Sequence, residues 1–205
     1  YTPSIVAKRR FHLHERCAYS EVEIMTDISV VVPVYNEEES LPHLCEHLDT
    51  VLSGQDKSYE IVLVDDGSTD ATWRGMHAAR EKYRHLRLVR LRRNFGQTAA
   101  MSAGFQASRG SVIVTLDADL QNDPADIPRL LETMDRGYDV VSGWRKERKD
   151  PFLNRRLPSM LANALISKFT GVALHDYGCT LKAYRRDVVD NLRLYGEMHR
   201  FIPAL

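Results

Sequence analysis

Short runs rich in β-branched residues recur along the chain at 28–35, 60–65, 86–91, 111–116 and 139–142. They stand about 25 to 30 residues apart, room for a strand and a crossover, so the spacing predicts parallel strands joined by helices rather than hairpins. Two of the intervening segments place apolar residues at helical offsets. Leu41, Leu44, Leu48, Val51 and Leu52 end at Gly54, and Ile127, Leu130, Leu131 and Met134 lie between Asp123-Pro124 and Gly137. Alternating strands and helices predict an α/β fold, a mostly parallel sheet with helices on both faces. Such sheets bind ligands beyond the carboxyl ends of their strands, which makes the residues after each run the informative ones. After residue 145 the pattern changes to a basic stretch, an amphipathic helix near 158–169 and a shorter β-like run around 179–184.

Composition narrows the function classes. With 43% hydrophobic residues in 205, the chain can build a core. Lys+Arg and Asp+Glu are both 28, so no bulk positive field is available and no nucleic-acid partner is expected. Cys17, Cys45 and Cys179 are odd in number and form no C-x-x-C, which argues against a disulfide framework or a cysteine zinc site. The apolar run Val30-Val31-Val32 is far short of the roughly 20 residues that span a bilayer. Residues 1–26 carry Lys8, Arg9 and Arg10 without a long apolar stretch and are read as an extension, with the domain at 27–205.

The first run leads into Pro33-Val34-Tyr35-Asn36-Glu37-Glu38 and the second into Val64-Asp65-Asp66-Gly67-Ser68-Thr69-Asp70. Asn36 and residues 68–70 serve equally well as helix N-caps. Capping does not explain Asp65, whose carboxylate can accept from a nucleobase N–H or a ribose hydroxyl. The fourth run ends in Thr115-Leu116-Asp117-Ala118-Asp119-Leu120-Gln121. On a strand, that spacing puts both carboxylates on one face about 7 Å apart, able to share a divalent cation. Sixteen aspartates make one chance D-x-D an expected event, so the triplet counts only through its place at the end of an apolar strand. Like charges there repel unless a cation or basic groups intervene, and oxygen donors suit Mg²⁺ or Mn²⁺, which would in turn hold a diphosphate.

Three further features compete for a role. His43-Leu44-Cys45-Glu46-His47 matches H-x-x-E-H, yet no third zinc ligand is suggested, and the segment is read as a solvated helix flank. Arg145, Lys146, Arg148, Lys149, Arg155 and Arg156 face only Glu147 and Asp150, which fits either a solvated charge run or a loop that closes on phosphate. Arg87, Arg90, Arg92 and Arg93 flank the third run and read as surface charges, Arg93-Asn94 at its carboxyl end excepted.

Taken together, VVPVYNEEES, VLVDDGSTD, RRNFGQTAAMSAGFQASRG, VTLDADLQNDP, GWRKERKD, DYGCTLKAYRR and HRFIPAL resemble the family 2 glycosyltransferases, within them the polyprenyl-phosphate glycosyltransferases. The resemblance runs from about residue 27 to 205, with the pieces in the family's order. It implies the nucleotide-sugar-binding GT-A-like fold for a catalytic domain at 27–205. It also implies that Pro33, Tyr35, Glu37 and Asp65 bind the nucleoside, with Asp66 and Asn94 in the same nucleotide-binding set. Asp117, Asp119 and Gln121 would hold Mg²⁺ or Mn²⁺ and the diphosphate, and Arg145, Arg155 and Arg200 would meet phosphates. Asp119 and Asp176 are the catalytic candidates. The sequence departs from part of the family at Thr180, where some members carry the catalytic aspartate, and Asp176 is taken in its place.

The implied activity is inverting transfer of a sugar from a UDP- or GDP-linked donor to a polyprenyl phosphate, undecaprenyl or dolichyl. It would take place at a membrane surface with the catalytic domain on the cytoplasmic side, and a homo-oligomer is compatible with it. The apolar end 201–205, the basic stretch and Leu157, Leu161, Leu165 and Phe169 lead to the expectation that the protein continues into membrane-spanning helices. The rival is a family 2 enzyme acting on a saccharide hydroxyl. A nucleotidyltransferase would want a Gly-rich basic loop where this chain has Glu37-Glu38-Glu39, and a non-catalytic nucleotide-binding module is the remaining class.

Overall fold

Nine residues, Thr26–Val34, form the first strand, β1, and all but the first two and Pro33 are buried. That near-continuous apolar run marks a strand covered on both faces. The computed structural model describes residues 26–143 and 179–192. After β1 come α1 (Leu41–Ser53), β2 (Tyr59–Asp65), α2 (Thr72–Lys82), β3 (Leu86–Arg90), α3 (Gln97–Ala107) and β4 (Gly110–Thr115). A 3₁₀ turn (Pro124–Asp126), α4 (Ile127–Asp135), β5 (Val140–Ser142), β6 (Lys182–Arg185) and α5 (Arg186–Asp190) complete the described elements.

The sheet order is β3-β2-β1-β4-β6-β5. β1 to β4 are parallel, and β6 runs antiparallel between β4 and β5. Period-two alternation sorts the strands' side chains onto two faces. Ile28, Val30, Val32, Ile61, Leu63 and Val114 pack with Leu44 and Leu48 of α1, Met76 of α2 and Leu130 and Met134 of α4. Val31, Val62, Val64, Ile113 and Tyr184 pack on the other face with Ala100, Met101 and Phe105 of α3 and Val189 of α5. Right-handed crossovers explain the division. The chain steps outward from β1 to β3 with α1 and α2 on one face, then returns past β1 to β4 with α3 on the other. The reversal creates a switch point between β1 and β4, where doubly wound sheets open a ligand crevice at their carboxyl ends.

α3 lies unusually close to the sheet. A Cβ at Gly104 would stand 2.3 Å from Val31 Cγ1 and 3.2 Å from Val64 Cγ2. At the amino edge, buried Glu60 accepts from Ser29 Oγ and Arg109 N, both at 2.6 Å, and pairs with Arg87 Nη1 at 3.1 Å. This buried charge is thus met by two hydrogen bonds and a cation. We expect Gly104→Ala to lower stability by about 1–3 kcal/mol through overpacking, read as a urea midpoint shift. Gly54→Ala, whose Cβ would meet nothing nearer than 3.6 Å, should be close to neutral.

Candidate active site at the carboxyl edge of the sheet

The loops after β1 and β2 are cross-linked. Asn36 N donates to Ser68 Oγ at 3.0 Å, and Asn36 Oδ1 accepts from Thr69 N at 2.9 Å. Glu37 N donates to Thr72 Oγ1 at 2.8 Å, and Glu38 Oε2 accepts from Ala71 N at 2.7 Å. Asn36 and Ser68 are therefore not the helix caps that their residue types suggest. The cap positions are Ser40 and Ala71, neither of which makes a side-chain cap bond. Burial pushes the Asp70 carboxyl up, but bonds from Thr72 and from the Glu38 backbone outweigh it and hold the group below the ordinary aspartate value.

Asp65 closes β2 with no exposed surface. Its Oδ1 accepts from Ser68 N at 2.9 Å. Its Oδ2 makes no hydrogen bond among the described residues, and its charge is met by Arg90 Nε at 3.1 Å. The Arg90 guanidinium in turn lies over the Trp73 ring, 4.9 Å from its centroid. Asp66, 3% exposed, accepts from Phe95 N at 2.8 Å and Gly96 N at 2.9 Å. Gly67, at φ 72°, permits this turn to touch the loop after β3, because a Cβ there would lie 2.4 Å from the Arg93 carbonyl carbon and 2.7 Å from Asn94 N.

β4 ends at Thr115, so Asp117 and Asp119 stand in the loop beyond it, and the strand-face spacing expected from the sequence does not order them. Asp117 is half-buried, and its Oδ1 accepts from Gln97 Nε2 at 2.6 Å. Asp119 is exposed, and its Oδ1 accepts from Gln121 N at 3.1 Å. Leu120 between them has φ 59°, a left-handed conformation that costs a branched apolar residue about 1–2 kcal/mol. It and Asn36, φ 54°, are the non-glycine residues with positive φ among those described, and both lie at this edge. Buried Asn122 donates to Thr180 Oγ1 at 2.9 Å, and Thr115 Oγ1 donates to Thr180 O at 2.7 Å, tying the loop to the segment before β6. The exposed large hydrophobic side chains of the described residues, Tyr35, Phe95 and Leu120, also stand here.

The structure thus gathers Pro33, Tyr35, Glu37, Asp65, Asp66, Asn94, Asp117, Asp119 and Gln121 at one edge. Arg145, Arg155, Asp176 and Arg200 lie outside the described residues, as do the basic stretch and the helix expected near 158–169. Sequence reasoning missed Gln97, Arg90, Asn122 and Thr180 as partners of the site. Gln97 had one signal, its place directly after a glycine that opens a helix. His43 and His47 are exposed on α1, His47 Nε2 lies 3.5 Å from Asp123 Oδ1, and burial pushes the intervening Cys45 thiol up to about 11. Among the described residues no three His, Cys, Asp or Glu side chains converge on one point.

The mixed α/β fold with its mostly parallel six-stranded sheet is that of the GT-A glycosyltransferases. The sequence model described as Glycosyl transferase family 2 matches residues 29–193, and the chain belongs to that family. It is 50% identical over 181 residues to dodecaprenyl-phosphate galacturonate synthase of Rhizobium johnstonii, covering 87% of this chain and 53% of that protein. It is also 50% identical over 179 residues to undecaprenyl-phosphate 4-deoxy-4-formamido-L-arabinose transferase of Pseudomonas aeruginosa, covering 87% and 52%. The chain spans about half the length of the curated relatives it matches. Among solved structures it is similar to glucosyl-3-phosphoglycerate synthase of Mycobacterium tuberculosis in complex with Mn²⁺ and UDP-glucose. The TM-score is 0.63 at 21% identity, over 87% of this chain and 64% of that one, a likeness of fold.

The Asp65–Arg90 pair yields a stability prediction. Arg90→Met removes the cation but keeps an apolar stem on Trp73, so it leaves a buried carboxylate oxygen unmet. Urea unfolding should show a loss of about 1–3 kcal/mol, whereas an unchanged midpoint would mean that the pair carries no stability.

Proposed function

We propose that this chain is the donor-binding, catalytic part of a glycosyltransferase that moves a sugar from a UDP- or GDP-linked donor to a membrane polyprenyl phosphate. The observation that carries this reading is that buried Asp65 at the end of β2, the Asp117–Asp119 pair after β4 and the exposed Tyr35 and Leu120 all stand along the carboxyl edge, at β1 and on either side of it. The acceptor class is supported by the relatives at 50% identity, whose names state dodecaprenyl and undecaprenyl phosphate. Action from the cytoplasmic side belongs to the same proposal. Among the described residues no helix is long and apolar enough to cross a membrane.

The donor set fits a hard divalent cation. Asp117, Asp119 and the Gln121 amide offer oxygen ligands, and with two carboxylates the protein leaves coordination positions for diphosphate oxygens. Mg²⁺ or Mn²⁺ held there would offset the charge that gathers on the departing nucleotide diphosphate. Tyr35 offers an exposed ring to the nucleoside. For Asp65 to accept a nucleoside N–H, Arg90 must swing away from Oδ2, and the same guanidinium is then free to face the ligand.

A phosphate monoester with a second pKa of about 6 is mostly dianionic at pH 7. Its oxygen attacks the anomeric carbon directly, the new C–O bond forms opposite the bond to the diphosphate, and the nucleotide leaves with the electron pair. No proton has to be removed, so the work of the site is alignment and charge stabilisation. A saccharide hydroxyl would need a base such as Asp176, which separates the rival reading by acceptor.

The test uses full-length protein with UDP- or GDP-sugar, Mn²⁺ and either undecaprenyl phosphate or a saccharide acceptor. Lipid-linked sugar and free nucleotide diphosphate should form only with the lipid phosphate. Asp119→Asn should lower the rate by about 100-fold or more, the scale at which one lost charge-stabilising group acts. Full activity of that variant, or transfer to the saccharide alone, would contradict the proposal.

A further inference from the structure

Gln97 is the first residue of α3, and its side-chain amide donates to Asp117 Oδ1 at 2.6 Å. Its own position is set one step back in the chain. Asp66 accepts from the two backbone amides immediately before it, Phe95 N at 2.8 Å and Gly96 N at 2.9 Å. Gly67 presses the same turn against Arg93 and Asn94, where a Cβ would lie 2.6 Å from Arg93 Cα, so the loop has little room to slide. Residues 95 to 97 therefore join a buried carboxylate of the β2 turn to the first carboxylate of the Asp117–Asp119 pair. An amide suits that junction. It orients an ionised carboxylate as a donor, yet unlike Lys or Arg it brings no positive charge to compete with a cation.

We propose that Gln97 is a positioning residue for Asp117 and that Asp66 is a positioning residue for Gln97, the two acting in series to aim the Asp117 carboxylate at a divalent cation. The proposal rests on the metal-binding reading above. It also changes the role of Asp66, which resemblance places among nucleotide-binding residues. With each oxygen engaged by a backbone N–H of the turn before Gln97, this side chain orients the site rather than binding the nucleotide.

The test is Mn²⁺ binding to the full-length protein, followed by electron paramagnetic resonance of the free ion with UDP or GDP present. Metal-free nucleotide binding and the urea midpoint are measured beside it. Gln97→Leu should weaken Mn²⁺ binding about tenfold or more, the usual effect of losing a partner that orients a metal ligand. Metal-free nucleotide binding and the midpoint should not move. Asp66→Asn sets an NH₂ group against a backbone N–H, loosens the start of α3, and should also weaken Mn²⁺ binding. The double variant should lose no more than the worse single one, because the two act on one path.

Unchanged Mn²⁺ affinity in Gln97→Leu would overturn the proposal, whatever the folding of the Asp66 variant. Additive losses, or a loss of metal-free nucleotide binding in Asp66→Asn, would overturn the serial arrangement. If wild-type protein binds Mn²⁺ and Gln97→Leu matches it, this inference alone fails. If the wild type binds none, the metal reading fails with it.

Discussion

Two adjacent carboxylates at the end of β2, Asp65 and Asp66, are the constraint on which the carboxyl edge of the sheet depends. They are 0% and 3% exposed, and charges so deeply buried persist only where donors or cations meet them. The partners come from well-separated parts of the chain: Ser68 N in the following turn, Arg90 at the end of β3, and Phe95 N and Gly96 N at the start of α3. Meeting these two charges therefore fixes three segments at once. Through Gln97 the same order reaches Asp117, on the far side of β1.

The backbone topology makes this edge the open one. α1, α2 and α4 cover one face, α3 and α5 the other, and the amino edge is closed by the Glu60, Ser29 and Arg87 network. At the carboxyl edge the loops after β1 and β4 each carry a non-glycine residue in left-handed conformation, Asn36 and Leu120, and each exposes a large side chain, Tyr35 and Leu120. Asn36 has local compensation in its bonds with Ser68 and Thr69, and tolerates that conformation readily. Leu120 stands exposed directly after Asp119. The proposed donor-binding role thus rests on a few loops at one edge.

Much of the fold was legible because burial on both faces writes itself as β-branched runs in β1, β2 and β4, while the half-buried β3 shows as a short run alternating Leu with Arg. β1 to β5 fall where those runs fall, and α1 and α4 follow their apolar stripes. α2 and α3 gave weaker signals. α2 buries only Thr72 and Met76, and α3 sets only two large apolar side chains, Met101 and Phe105, among small buried residues such as Ala100 and Gly104, so each stripe is short. The β-like run near 179–184 is realised as β6, but its antiparallel direction is set by pairing with β4 and β5.

In the site, positions were easier to read than partnerships. The sequence brings Asp65, Asp66, Asp117 and Asp119 to strand ends, yet it cannot show that Arg90 meets Asp65 or that Asp66 faces two amides 29 and 30 residues away. Those contacts are decided by which loops the sheet order makes neighbours. The strand-based spacing of Asp117 and Asp119 failed for a similar reason, since β4 stops at Thr115 once its pairing with β1 and β6 ends.

Hydrogen–deuterium exchange on the full-length protein, with and without UDP or GDP plus Mn²⁺, tests most directly whether this edge is the donor site. Ligand-induced protection should be confined to the carboxyl-edge loops, residues 35–40, 66–71, 91–97 and 116–122. Protection at the amino-edge segments 54–58, 83–86 and 107–110, or no protection with either nucleotide, would contradict it.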